Sequence, residues 1–163
     1  MTKTILVSAC LMGTPCRYDG TANEVPGLME MLKNYQAVSF CPETLAGLAV
    51  PLPPAEIRGG DGVQVLAGTA QVRNQMGQDL TAEFLKGARL ALELARLHKP
   101  VMVLAKAKSP SCGVGRIYDG NFHGKLIRGD GVTVALLRQA GFAVFSEEDF
   151  MERTGQILGE KNG

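Results

Sequence analysis

The sequence has no apolar run near the ~20 residues needed to cross a bilayer. It also has no excess of charge of either sign: 17 lysines and arginines against 16 aspartates and glutamates leave a net +1. The first absence excludes a membrane-spanning helix. The second removes the basic field that draws proteins to nucleic acids, so a polyanion is not expected as the main partner. Four cysteines in 163 residues are too few for a disulfide-dense scaffold. No two of them form a C-x-x-C pair, so local zinc-knuckle and thioredoxin-like signatures are missing. Low-complexity tracts and sequential repeats are absent too, and only two histidines occur.

What is present is ordinary globular composition, 45% hydrophobic and 20% charged. A chain of this length buries about 70% of its unfolded surface as one domain. Residues 1–158 are expected to form that domain, with 159–163 as a flexible tail. The opening MTKTILVSACLMG has a lysine and an apolar stretch, but the stretch is too short for a signal peptide and contains Cys10. It reads as the first strand of a cytoplasmic protein.

Residues 4–9, 37–40, 101–105 and 142–145 read as short buried strands. Helical spacing predicts helices over 25–34, 79–98 and 131–140, the last with Asp130 as N-cap and Gly141 beyond its end. A C-terminal helix is expected to start at Ser146, with an acidic third position. Residues 11–23 read as a loop, the proline- and glycine-rich 47–62 as an irregular excursion, and 63–72 as a hairpin or edge strand. A small hairpin is expected within 106–129, around Ile117-Tyr118 and Phe122-His123. Strands alternating with helices imply β-α-β units: an α/β fold, three-layered and Rossmann-like, with a mostly parallel sheet.

That fold gives the cysteines a meaning. Cys10 follows the first strand, Cys41 the second, and Cys112 lies in the loop KAKSPSCGVGRIYDG after the strand at 101–105. In a parallel sheet these three strand ends share the carboxyl edge, where open α/β sheets build their sites. A lone cysteine is most often a small buried apolar residue; three at one edge point to a shared soft ligand. Thiolates hold zinc, cuprous copper or iron–sulfur clusters. Structural zinc closes a four-ligand shell, often from local pairs. Dispersed cysteines suit a larger group, and a 4Fe–4S cluster on three of them leaves one iron open to substrate. Cys16 is either a fourth ligand, a reactive thiol in the pocket, or incidental.

Neighbouring residues add candidates. Glu43, two residues past Cys41, is placed to relay protons if its cleft is partly dry. Ser109 and Ser111 flank Pro110 and either cap the turn or bond a substrate. Gly113 and Gly115 would let backbone amides approach cluster sulfides. Arg17, in Arg17-Tyr18-Asp19-Gly20, offers a donor fork to a pocket wall or is a solvated turn residue. His123 reads as an exposed or satisfied histidine.

Four segments, VSACLMGTPCRYDG, FCPETLAGLAVPLPPAEI, KSPSCGVGRIYDGNFHG and GDGVTVALLRQAGFAVFSEEDF, resemble in order the DUF523 family, which includes the thiouracil desulfurases. The likeness spans roughly residues 3–150. It implies a compact α/β enzyme with a 4Fe–4S cluster on Cys10, Cys41 and Cys112. It also implies a non-redox reaction in which water replaces the sulfur of a thiolated nucleobase, giving the oxo base and sulfide. By the same resemblance, Glu43 and Ser109 are the candidates for proton transfer and substrate activation. The other class of reading is a non-enzymatic cluster or metal module, such as a sensor or sulfur carrier, with Cys16 completing a closed shell.

Overall fold

The structure is a computed structural model; it describes residues 2–12, 25, 27–49 and 53–152. Four strands form one fully parallel sheet in the order β2-β1-β5-β8: β1 Thr4–Ser8, β2 Gln36–Phe40, β5 Met102–Ala105 and β8 Val144–Ser146. Ser8 pairs with Phe40 and Val7 with Leu104, so β2, β1 and β5 end side by side.

Strand alternation sorts the core into two layers around this sheet. Leu6, Val103 and Val144 face helices α4 (Thr81–His98) and α5 (Val132–Gln139), meeting Ala91, Leu92, Val134 and Leu137. Ile5, Val7, Met102 and Leu104 face the other way, onto Leu28 and Leu32 of the α1 region (α1, Leu28–Met31) and Phe150 of α6 (Glu147–Glu152). Continuous apolar strands between two helical layers are the three-layer arrangement expected of a parallel sheet. The helix after β1 and the helix after β5 lie on opposite faces. The crevice between the carboxyl ends of β1 and β5 is therefore a topological switch point.

The predicted helix at 79–98 forms with its stripe of Phe84, Ala88, Ala91, Leu92 and Ala95 buried. Ser146 caps α6 by accepting from Asp149 N–H at 3.0 Å. Several expectations need correction. Within 47–62 and 63–72, the chain makes β3 (Ala55–Arg58), α3 (Gly62–Ala67) and β4 (Gln71–Asn74), with β3 and β4 paired antiparallel. The cause is local: Asp61 and Gln64 form a capping box, and Gly68, at φ +85°, ends the helix left-handed. Asp130 does not cap α5. Backbone N–H groups of Gly131, Val132 and Thr133 bond instead to the carbonyls of Gly113, Pro110 and Ser111, so the cysteine loop itself seals the helix start. In the predicted small hairpin, β6 (Arg116–Tyr118) pairs with β7 (Leu126–Arg128), and Phe122-His123 lie in the connection. The helix expected over 25–34 shrinks to α1. The predicted loop over 11–23 overlaps a 3-10 turn at Ala9–Met12; residues 13–23, like the tail at 159–163, lie outside the described residues.

Gly87 of α4 packs directly on the short helix α2 (Pro42–Leu45) that follows Cys41. A Cβ there would lie 2.3 Å from the Pro42 carbonyl oxygen, and backbone does not give way as a side-chain tip would. Gly87→Ala is expected to destabilise the fold by about 1–3 kcal/mol, read by urea unfolding.

Candidate active site

Each of the three cysteines sits just past a strand end. Cys10 is in the 3-10 turn Ala9–Met12 after β1. Cys41 is extended (φ −144°, ψ 104°) as the N-cap of α2, with Pro42 at the first helical position. The residue before a proline is pushed out of the helical region, so the C-P-E sequence holds Cys41 at the strand exit. Cys112 lies in the turn after β5, where Ser109 Oγ accepts from the N–H groups of Ser111 (3.1 Å) and Cys112 (3.0 Å). All three line one cavity of about 570 Å³, together with Glu43, Ser109 and Lys106.

The thiols and Glu43 feel one another's charge. Burial, then the charge of Cys41, raises the Glu43 carboxyl from 4.5 to about 8, with a smaller contribution from Cys10. Glu43 is half-exposed by area, but its carboxyl lies in the cavity wall, where Cys41 Sγ donates to Oε2 at 3.5 Å. Thr44 Oγ1 donates to Cys41 Sγ at 3.2 Å. Burial also pushes the Cys112 thiol up, with the charges of Glu43, Cys10 and Cys41 adding and a hydrogen bond with Ser8 opposing. These acids resist ionising in the empty cavity, and a cationic centre bound among them would favour their charged forms, so binding would release protons.

Proton linkage follows from Glu43 in the cluster-free protein. Its folded-state carboxyl binds a proton more tightly than the unfolded one, so stability falls as pH rises from about 4.5 to about 8. Glu43→Gln removes that titration. In urea melts of the cluster-free protein, the variant should gain on wild type toward pH 8, with the gap closing toward pH 5.

The donor set fits an iron–sulfur cluster. The cysteines lining the cavity offer soft sulfur donors, and among the described residues no three of His, Cys, Asp and Glu form a group that could hold a single ion. Three sulfurs spread around a shared cavity suit a larger group.

Other expected residues sort differently. Ser111 is fully buried, shares a 2.8 Å hydrogen bond with Thr133 Oγ1, and is not among the cavity's lining residues. Ser109 does line it, and because its oxygen accepts two N–H groups its own hydroxyl proton remains a donor. Gly113 and Gly115 do not offer their amides: Gly113 N–H bonds Ser109 O at 2.8 Å and Gly115 N–H bonds Asp130 Oδ1 at 2.8 Å. They serve the turn, Gly115 at φ +79°. His123 is exposed. Cys16 and Arg17 lie outside the described residues.

Sequence reasoning missed a cation and its brace. Lys106 lines the cavity; its Nζ lies 3.2 Å from Glu147 Oε2 and donates to Ala107 O at 3.0 Å. Glu147 is buried, and its Oε1 accepts from Ala107 N–H at 2.6 Å. Lys106 is the first residue past β5, so the strand-end placement that singled out the cysteines applies to it equally. Glu56, from the segment read as irregular, and Tyr118 and Phe122, from the small hairpin, were also missed as cavity residues.

The 2-thiouracil desulfurase family pattern matches residues 5–149. YbbK of Bacillus subtilis is 46% identical over 145 residues, covering 89% of this chain and 96% of that protein. A solved structure, the 4Fe–4S-dependent thiouracil desulfidase TudS, superposes with a TM-score of 0.82 at 43% identity. That match covers 96% of this chain and 99% of TudS.

Proposed function

We propose, from the premise that the chain belongs to the 2-thiouracil desulfurase family, that it hydrolyses the carbon–sulfur bond of 2-thiouracil or a similar thiolated nucleobase. The reaction is thiouracil plus water to uracil plus hydrogen sulfide, with no change in redox state. It uses a 4Fe–4S cluster. The observation that carries the reading is the meeting of Cys10, Cys41, Cys112 and Glu43 around one cavity at the ends of three parallel strands.

In this reading the three cysteines hold the cluster, which supplies an open iron, a soft Lewis acid matched to a thiocarbonyl sulfur. Glu43 manages the protons. A carboxyl poised near neutrality can take a proton from the attacking water and return one to the departing sulfur. Ser109 offers its hydroxyl proton to the substrate while its oxygen keeps the Cys112 turn closed. Lys106, braced by Glu147, offsets negative charge at the cavity floor.

A free base rather than a nucleic acid is the substrate, in keeping with the net charge of +1. Among the described residues no helix is long and apolar enough to cross a membrane. Reduced thiols and an accessible cluster belong in a reducing compartment, so we place the protein in the cytoplasm.

Anaerobic reconstitution with iron and sulfide tests the function directly. The expected result is about four irons per chain, a visible spectrum that changes on adding 2-thiouracil, and equal release of uracil and sulfide. A stable cluster with no spectral response and no sulfide would overturn the enzyme reading. Zinc as the sole metal retained after reconstitution would overturn the cluster.

A further inference from the structure

The cavity has two unlike walls. One is the sheet edge with its thiols; the other comes from β3, the β6 strand end and the β6–β7 connection, contributing Glu56, Tyr118 and Phe122. Phe122 has φ +60°. A bulky residue in the left-handed region is an outlier, and such outliers persist where surrounding structure over-determines them, commonly at ligand sites.

Here the surrounding structure is visible. Glu56 Oε1 accepts from the N–H groups of both Gly120 (2.9 Å) and Phe122 (3.2 Å), across more than 60 residues of sequence. Gly120, at φ +95°, sits so close to β3 that a Cβ would meet the Ile57 carbonyl oxygen at 2.6 Å. The connection is thus clamped onto β3 with Phe122 held at the cavity. Yet Phe122 and Tyr118 belong to none of the hydrophobic core clusters among the described residues, and both are only half-buried. The Tyr118 hydroxyl and Glu56 Oε2 have no hydrogen-bond partner among the described residues. Core packing therefore does not account for either ring, nor for fixing one of them in an unfavourable conformation.

We infer that Phe122, with Tyr118 beside it, is the stacking wall that holds the planar base against the thiol edge, and that Glu56 is the residue positioning it. The inference rests on the desulfurase reading for the identity of the base. Base–aromatic stacking tolerates any planar ring. The wall therefore selects flat heteroaromatic thiocarbonyls over non-aromatic ones, while the tyrosine hydroxyl and the open carboxylate oxygen can meet the base's polar edge.

The test pairs binding with turnover. Uracil, which lacks the sulfur, is titrated by calorimetry into the reconstituted protein, and 2-thiouracil turnover is followed by sulfide release. Phe122→Ala is expected to raise the uracil Kd and the 2-thiouracil KM by about 5- to 100-fold, with kcat within about twofold and iron content unchanged. Phe122→Tyr should restore wild-type values. Glu56→Ala should raise KM and speed amide exchange at Gly120 and Phe122, with Glu56→Gln, which keeps an acceptor oxygen, recovering both.

Unchanged Kd and KM in Phe122→Ala would overturn the wall and leave the desulfurase reading standing. Loss of iron in that variant would make the ring structural and likewise overturn it, as would a wild-type protein that binds neither base. Phe122-dependent uracil binding without sulfide release would support the wall and remove the desulfurase reading.

Discussion

Cys41→Ala, reconstituted anaerobically, is expected to retain no stable 4Fe–4S cluster and to release sulfide from 2-thiouracil only at the uncatalysed background. Of the three thiols this one gives the cleanest test. Cys10 and Cys112 are packed into the two core layers on either side of the sheet, so truncating them leaves a small void as well as removing a sulfur. Cys41 is partly exposed, belongs to no core cluster, and has an extended backbone that alanine adopts without strain. Its loss should leave the urea midpoint of the cluster-free protein nearly unchanged, while iron and acid-labile sulfide fall away. A Cys41→Ala protein with full iron content and wild-type turnover would take Cys41 out of the ligand set. The same comparison made on Cys10 and Cys112 should give loss of cluster together with a modest loss of stability.

Glu43→Gln should behave in the opposite way: iron content and spectrum retained, turnover lowered by about 10²–10⁴-fold. Glutamine has the same shape, and its amide N–H can donate to the Cys41 sulfur when that sulfur is a thiolate, so the cavity wall survives. What it cannot do is gain and lose a proton. The loss should appear in kcat with little change in KM, because proton transfer matters only in the transition state. Undiminished kcat would leave the water and the departing sulfur to be served by another group, with Ser109 and Lys106 among the alternatives on the cavity wall.

These expectations draw on two levels of information. The parallel strands were legible because Ile5-Leu6-Val7 and Val101-Met102-Val103-Leu104 are short continuous apolar runs, as strands buried on both faces carry. Once the strands were placed, the carboxyl-edge rule was enough to gather Cys10, Cys41 and Cys112. The outer wall was legible only as a small hairpin around Ile117-Tyr118. Its strands β3, β4, β6 and β7 are three or four residues each, too short to show a period, and they pair in two separate two-stranded sheets. The capping box at Asp61 and Gln64 was a readable signal hidden by the glycines around it. Asp130 shows the reverse error. A good capping residue at the right position was displaced because carbonyls of the 109–113 turn, distant in sequence, reached the helix start first.

The sequence by itself determined the fold class, the edge at which the chemistry gathers, and the soft character of what is held there, since strand periodicity and residue type are local properties. Tertiary structure alone decided which serine faces the cavity, that Lys106 is braced by Glu147, that the Glu43 carboxyl is pushed up to about 8, and that Tyr118 and Phe122 line the same cavity as the thiols. The physical reason is the same in each case. Burial, electric field and cavity shape are sums over neighbours contributed by separate elements, and no window along the chain contains them.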